Sequence, residues 1–181
     1  MTVEAANIFS KPLVHLRTLL SHCESLQAWV GVVGDDLGEA AGIAAAAARI
    51  HLLEFSEDPT AGKATRAAYR PLVQIGWSGL TAGAASEPAN YFHHEGDLLA
   101  CFEQVEPSGD GISTQTDKWL TFANAIGAIL QEAEALSGTG TYLHLAGWRK
   151  SLGPGRVSET DEAGGELALY QVNIEFQWSE G

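Results

Sequence analysis

The feature that most constrains the fold lies near the C-terminal end, where apolar and polar side chains alternate without a break. The apolar positions are Tyr170, Val172, Ile174, Phe176 and Trp178, and the polar positions between them are Gln171, Asn173, Glu175 and Gln177. Successive side chains of a β-strand point to opposite faces, so this period of two predicts a strand. We expect residues 166–178 to pack with one face and to meet water or a partner with the other.

Two segments follow a helical period instead. The first carries apolar residues with i, i+3, i+4 and i+7 spacing, at Leu13, Leu16, Leu19, Leu20, Cys23 and Leu26. We expect one amphipathic helix here, from a start at Ser10–Pro12 to an end near Gly31. The second helix is predicted from the apolar stripe between residues 119 and 136, with Thr116 as its N-cap and Gly138 just after its end.

The remaining segments complete an α+β pattern. Further strands are predicted at residues 49–55, 71–77, 97–106 and 141–148, and a loop with a short helix at 34–48. Residues 78–95 and 151–165 are rich in small and turn-forming residues and are predicted to be long loops. The order of elements predicts one domain over residues 1–181: a mainly antiparallel five-stranded sheet covered by two helices.

The charge of the chain restricts its partners. It has 23 acidic and 10 basic side chains, a formal net charge of −13. This excess opposes a phosphate backbone, and the basic residues are scattered, so we expect no specific nucleic-acid binding. No run of about 18 apolar residues predicts a membrane span. Residues 1–9 lack the pattern of a secretory signal, so we expect a soluble protein without a membrane partner.

Only one local cluster has the residue types of a metal site: His93, His94, Glu95 and Asp97. Neighbouring histidines on extended chain point to opposite sides, so both do not easily bind one ion. The glycines of residues 31–36 follow a predicted helix, which is the wrong context for a phosphate loop. We therefore predict no catalytic residue, no metal and no cofactor, with buried free thiols at Cys23 and Cys101.

The five tryptophans are more informative, because aromatic side chains dominate both cores and protein interfaces. Trp77 and Trp119 lie within predicted elements and are expected in the core. Trp148 and Trp178 lie near strand ends beside polar loops. These two are the candidate interface residues.

Several short stretches of the sequence, taken with the order of predicted helices and strands, resemble a known protein family. They are residues 12–20 (PLVHLRTLL), 26–31 (LQAWVG), 48–52 (ARIHL), 124–132 (NAIGAILQE), 153–156 (GPGR) and the closing strand 170–178. Together they resemble the tail-terminator, or tail-completion, proteins of long-tailed bacteriophages and prophages. The likeness is one of pattern and extends over nearly the whole chain.

This resemblance implies a structural protein rather than an enzyme. Such proteins form rings, typically hexamers, that cap the tail tube, end its polymerisation and present a surface to the head-side connector. The partners implied are further copies of the chain, the tail tube protein and the connector or neck proteins. The location implied is the head-proximal end of the virion tail, after assembly in the host cytoplasm. A ring needs two different patches that meet on neighbouring subunits.

Other functions remain open at this point. Neck, sheath and head-completion proteins are also small α+β proteins, so fold alone does not separate them. A metal-dependent hydrolase would use His93, His94, Glu95 and Asp97. A third alternative is a domain that binds a small molecule in its loop-rich region.

Overall fold

The structure is a computed structural model, and it describes residues 11–52, 70–84, 92–107, 112–137, 143–149, 155–160 and 165–180. The helices are α1 (Lys11–His22), α2 (Glu24–Trp29), α3 (Ala40–Ala48) and α4 (Ile112–Ser137), with a 3-10 turn at Gly34–Asp36. The strands are β1 (Ile50–Leu52), β2 (Leu72–Ala84), β3 (Phe92–Pro107), β4 (Leu143–Arg149), β5 (Gly155–Thr160) and β6 (Glu166–Glu180).

The strands form one mixed sheet in the order β1-β2-β3-β6-β4. β1 pairs with β2 in parallel, whereas β2–β3, β3–β6 and β4–β6 are antiparallel. β5 also pairs with β6, next to residues 166–169, while β4 pairs next to residues 173–178. β4 and β5 therefore follow one another along the same outer side of β6.

The sheet buries an apolar face beneath the helices. β2, β3 and β6 contribute Val73, Ile75, Leu98, Ala100, Phe102, Tyr170, Val172, Ile174 and Phe176 to this core. The helices contribute the fully buried Leu16, Leu20, Leu26, Phe122, Ile126 and Ile129. Each large apolar side chain buried in this way contributes about 1.5–3 kcal/mol, which makes this layer contact the main source of stability.

Polar contacts hold the helices of this layer in place. The Glu132 carboxylate of α4 accepts hydrogen bonds from the Glu24 and Ser25 backbone N–H groups, at 2.7 and 2.9 Å, and so caps α2. The buried Gln27 side chain donates to the Ser21 carbonyl at 3.0 Å and accepts from Gly38 N–H at 2.7 Å. These bonds satisfy backbone groups that helix ends otherwise leave unpaired.

The C-terminal strand and the α+β class agree with the sequence. Tyr170, Val172, Ile174 and Phe176 are buried, whereas the polar residues between them are half-buried and Gln177 is exposed. The predicted counts of five strands and two helices are not confirmed, since the described residues contain six strand segments and four α-helices. Among the described residues, no helix combines the length and apolar character that a membrane span requires.

Both predicted long loops were wrong where the structure describes them. Residues 79–84 and 92–95 belong to β2 and β3, and residues 81–84 pair with residues 92–95. Residues 155–160 form β5 against β6. Small residues give no hydropathy period, but their backbone still pairs, and this is why the sequence pattern missed them. Residues 85–91, 151–154 and 161–164 of these segments lie outside the described residues.

The predicted helix boundaries also needed correction. The apolar period runs without a break through residues 13–26, yet Cys23 adopts an extended conformation and divides the segment into α1 and α2. α4 begins at Ile112, so Thr116 lies inside the helix and is not its N-cap. The strand predicted at 49–55 is described only as Ile50–Leu52, and the predicted Gly138 terminus lies outside the described residues.

Candidate functional site

The two candidate interface tryptophans lie on neighbouring strands: β4 is an outer strand, whereas β6 has a partner strand on each side. Trp148 is on β4, opposite Ile174, and Trp178 is near the end of β6, opposite Leu143 on one side and Gly96 on the other. Their side chains lie outside the described part of the structure. The register brings both positions to the same region of β6, and their role at an interface stays a prediction.

The residues of the candidate metal cluster, where no metal was predicted, lie within β3, although the sequence pattern placed His93, His94 and Glu95 in a loop. His93 and His94 are opposite Gly83 and Ala82 of β2, on extended backbone. Asp97 is farther along the strand, opposite Gly79 of β2. Among the described side chains, no three His, Cys, Asp or Glu residues are grouped to hold a metal ion. The side chains of His93, His94 and Glu95 are not among those described.

Sequence reasoning missed a buried polar cluster on the sheet face opposite the helices. Arg70 donates to the Glu103 carboxylate with Nε at 2.9 Å and with its terminal nitrogen at 2.7 Å. Gln171 Nε2 lies 3.3 Å from Glu103 and 2.9 Å from Cys101 Sγ. Both charged side chains of the ion pair are buried, so removing either one would leave the other as an uncompensated buried charge. The hydropathy pattern of β3 did not predict the ion pair between Arg70 and Glu103.

An aromatic cluster joins α2 and α4 to the sheet. Trp29 packs against Phe102 and Phe122, and Trp119 stacks on Tyr170 with a 6.2 Å distance between the ring centres. Trp29 Nε1 also donates to Gln104 at 2.7 Å. Burial, followed by the Glu106 charge, raises the pKa of Tyr170. The expected packing of Trp119 against the core is confirmed, and these contacts join α4 to the sheet.

The C-terminal end of α3 gathers positive charge in an otherwise acidic chain. Arg17 of α1 donates to the Ala47 carbonyl through two guanidinium nitrogens, at 2.9 and 3.3 Å. Arg49 follows the last turn of α3, and His51 comes two residues later on β1. Burial lowers the pKa of His51, and the charges of Arg17 and Arg49 lower it further. We call Arg17 and Arg49 the basic end of α3.

The opposite end of α3 is acidic. Asp35, Asp36 and Glu39 precede the helix, and all three are exposed. Glu24 lies beside the same turn, because a Cβ on Gly38 would be 2.8 Å from its carboxylate oxygen. Gly38 has a φ of +79°, which favours glycine at this close approach. We call Asp35, Asp36 and Glu39 the acidic end of α3.

Between these ends, α3 presents small uncharged residues. Its exposed positions are Ala40, Ala41, Ala44, Ala45 and Ala48. The inner side is anchored at Gly42 and Ala46, both buried, and Gly42 packs against the Asp36 carbonyl and Gln27. The sequence showed the alanine run as a short helix but did not show that charges of opposite sign flank it in space.

A scan against models of protein families finds none that matches the chain, and a search among curated proteins finds no matching relative.

Proposed function

We propose that the chain is a structural subunit that caps the end of a bacteriophage tail tube as a ring. It ends the polymerisation of the tube and forms the surface that joins the head-side connector. The ring holds six copies at the head-proximal end of the virion tail and is assembled in the host cytoplasm. Its partners are the tail tube protein and the connector or neck proteins, and it uses no catalytic residue or cofactor.

The observation that carries this proposal is that the stretches resembling tail-terminator proteins pack against one another. Residues 12–20 lie in α1, 26–31 begin in α2, 48–52 lead into β1, 124–132 lie in α4 and 170–178 lie in β6. Each of these short sequence likenesses, taken alone, is weak support for the family. Because these meet in space, they describe a common packing arrangement, and this supports the proposed function by analogy.

The contacts between these stretches are specific. Glu132, the last residue of the fourth stretch, caps α2, which contains most of the second. Leu16, Ile126 and Val172, from three different stretches, belong to one core cluster. A change in any of these segments would disturb its partners, so they constrain one another as parts of one layer.

The open sheet offers two different outer sides, and a ring of identical subunits requires two different contact patches. A closed ring with one subunit type joins one patch to a different patch on the next copy. In the described part of the chain, the outermost strand on one side is the short parallel β1, and on the other side β4 and β5. The two sides differ in length and strand direction, so a contact between them is head-to-tail rather than two-fold symmetric.

The function is tested by disrupting the coding sequence in the genome that carries it and imaging the released particles by electron microscopy. Without a terminator, we expect tubes of irregular and excessive length that lack attached heads. Expression from a plasmid restores the normal length. Tails of normal length joined to heads in the disrupted strain would contradict the proposed function.

A further inference from the structure

The hydroxyl group of Tyr170 differs from the other buried polar groups of the core. Tyr170 is fully buried, and its hydroxyl oxygen has no hydrogen-bond partner in the part of the chain that the structure describes. The buried Gln27 and Glu103 side chains, by contrast, each have a partner. A buried polar group normally has one, because losing its hydrogen bonds to water without replacement costs stability. The tyrosine therefore points to a bound molecule at its hydroxyl.

The aromatic cluster holds this hydroxyl in place. The Tyr170 ring stacks on Trp119, and its centre lies 6.1 Å from that of Phe122. Both of these rings belong to α4. Rotating the tyrosine toward a different protein partner would lose both ring contacts. A partner must therefore come to the hydroxyl.

The strand register places a carboxylate near this hydroxyl. Tyr170 pairs with Gln104 across β6 and β3, and Glu106 follows two residues later on the same face of β3. Diagonal neighbours of this kind lie roughly 7–8 Å apart, within the reach of two long side chains. The Glu106 charge contributes, after burial, to the raised pKa of Tyr170, which agrees with this proximity. The direct cross-strand neighbour of Glu106 is Ala168, whose short side chain does not fill the position as a larger residue would.

The Glu106 carboxylate has one oxygen in a hydrogen bond and one that still accepts. Oε1 accepts from Gln104 Nε2 at 2.7 Å. Oε2 lies 4.0 Å from Lys118 Nζ, which is too long for a direct hydrogen bond. Lys118 instead donates to the Pro107 carbonyl at 2.8 Å. The Glu106 and Lys118 side chains are partly exposed, so solvent reaches this end of the helix layer.

We infer that this position is a binding site for one ordered water molecule, which joins the Tyr170 hydroxyl to Oε2 of Glu106. The water accepts a hydrogen bond from the hydroxyl and donates one to the carboxylate, and Lys118 Nζ is a further donor to it. Buried waters make about three hydrogen bonds, which these groups supply. A water fits better than a larger ligand, because Trp119 and Phe122 pack directly against the tyrosine ring.

The water completes a chain of polar contacts through the helix layer. Trp29 Nε1 at the end of α2 donates to Gln104 of β3, and Gln104 donates to Glu106 on the same strand. The water continues the chain from Glu106 to Tyr170 of β6. Members of such a network support one another, so each bond is stronger while the others are present.

Urea denaturation at one protein concentration measures the contribution of this bridge in the wild type, Tyr170→Phe, Glu106→Ala and the double variant. Tyr170→Phe removes only the hydroxyl. We expect it to raise the unfolding equilibrium constant about fivefold in the wild type, the effect of one hydrogen bond. In the Glu106→Ala background we expect less than about twofold, because the water has lost its acceptor.

The design separates the bridge from the other contacts of Glu106. Glu106→Ala also removes the bond from Gln104, but this loss is common to both members of the comparison and cancels. The matched control background is Glu134→Ala, at an exposed position of α4. There Tyr170→Phe should keep its full effect. An effect of equal size in all backgrounds would show that the hydroxyl and Glu106 are not linked.

A high-resolution crystal structure identifies the bridging group. A water oxygen within hydrogen-bond distance of both Tyr170 Oη and Glu106 Oε2 supports the inference. A direct bond between these two side chains, or no ordered water at the hydroxyl, overturns it. A Tyr170→Phe variant at least as stable as the wild type also overturns it, because removing an unpaired buried hydroxyl relieves its desolvation cost. None of these results depends on the proposed ring.

Discussion

The two cysteine side chains show how burial sets chemistry at the scale of single residues. Cys23 and Cys101 are free and buried, as the sequence predicted. Burial raises the pKa of Cys23 to about 12, with a further contribution from the Glu132 charge. Burial also raises the pKa of Cys101 to about 12, although the Gln171 hydrogen bond acts in the opposite direction. Both residues therefore remain protonated and unreactive in the folded chain.

We predict that neither thiol reacts with a disulfide reagent such as DTNB at pH 8 in the native protein. At a pKa of about 12, only about one thiol in ten thousand is ionised at this pH, and the thiolate is the reactive form. In denaturant both should react at once. Rapid modification of one or both thiols in the native protein would show that the thiol environments differ from those described.

Polar residues inside the fold were the hardest to anticipate from sequence. Gln27 and Glu103 occur within apolar segments, and nothing in their local pattern distinguishes them from exposed residues. Each is buried because a partner far along the chain satisfies it: Gly38 for Gln27 and Arg70 for Glu103. Hydropathy reports the average environment of a segment, whereas a hydrogen-bond partner depends on the tertiary fold.

At the scale of elements, α2 depends on a cap from another helix. Its own preceding residue, Cys23, makes no side-chain cap, and the Glu132 carboxylate supplies the acceptors instead. A six-residue helix is too short to be stable in isolation. The position of α2, and of Trp29 at its end, is therefore tied to α4.

Replacing the Glu132 carboxylate should destabilise the packing of α2 on α4. We predict that Glu132→Ala lowers the free energy of unfolding by about 1 kcal/mol, the usual effect of losing a helix cap. Glu134→Ala, two residues later and exposed on the same helix, should change it by less than about 0.5 kcal/mol. Urea denaturation of both variants measures the difference. Equal stabilities would mean that Glu132 is not an effective cap.

Close packing at Gly42 gives a second prediction for the helices. A Cβ at this position would overlap the Asp36 carbonyl oxygen and lie 2.6 Å from Gln27 Oε1. Alanine is favoured over glycine in a helix by about 1 kcal/mol, but forcing an atom into a filled space costs about 1–3 kcal/mol. Because the backbone oxygen cannot easily move, we expect Gly42→Ala to destabilise the protein.

The matched control is Gly127→Ala in α4, where a Cβ would meet nothing within 4 Å. Here the preference of alanine for helix should act alone and raise the melting temperature. Thermal melting of the two variants should therefore shift in opposite directions. A stabilised Gly42→Ala variant would mean that α3 is less tightly packed on the turn before it.

The sequence predicted helices and strands with a strong hydropathy period better than strands that are recognised only by their pairing with a neighbouring strand. β6 was predicted because apolar and polar residues alternate along it, which gives the strand one buried face and one polar face. The C-terminal part of β2 and all of β5 lack such a period, and only pairing with β3 and β6 identifies them as strands. The break at Cys23 was missed because the core accepts apolar residues from both α1 and α2.

At the scale of the whole molecule, the described residues form a helix layer on an open sheet whose two outer sides differ. The sequence predicted the α+β class and named Trp148 and Trp178 as candidate interface residues, a role that stays a prediction. It did not predict the charge arrangement around α3. That arrangement arises because Arg17 and Glu24 come from other helices, which periodicity within one segment does not report.

The most direct test of the central claim is native mass spectrometry of the purified chain over a concentration series. It reports the oligomeric state and any tightly bound metal in the same spectrum. We predict a closed ring of six copies, in equilibrium with monomer and without bound metal. A chain that remains monomeric at every concentration would contradict the ring, and one metal ion per chain would favour the hydrolase instead.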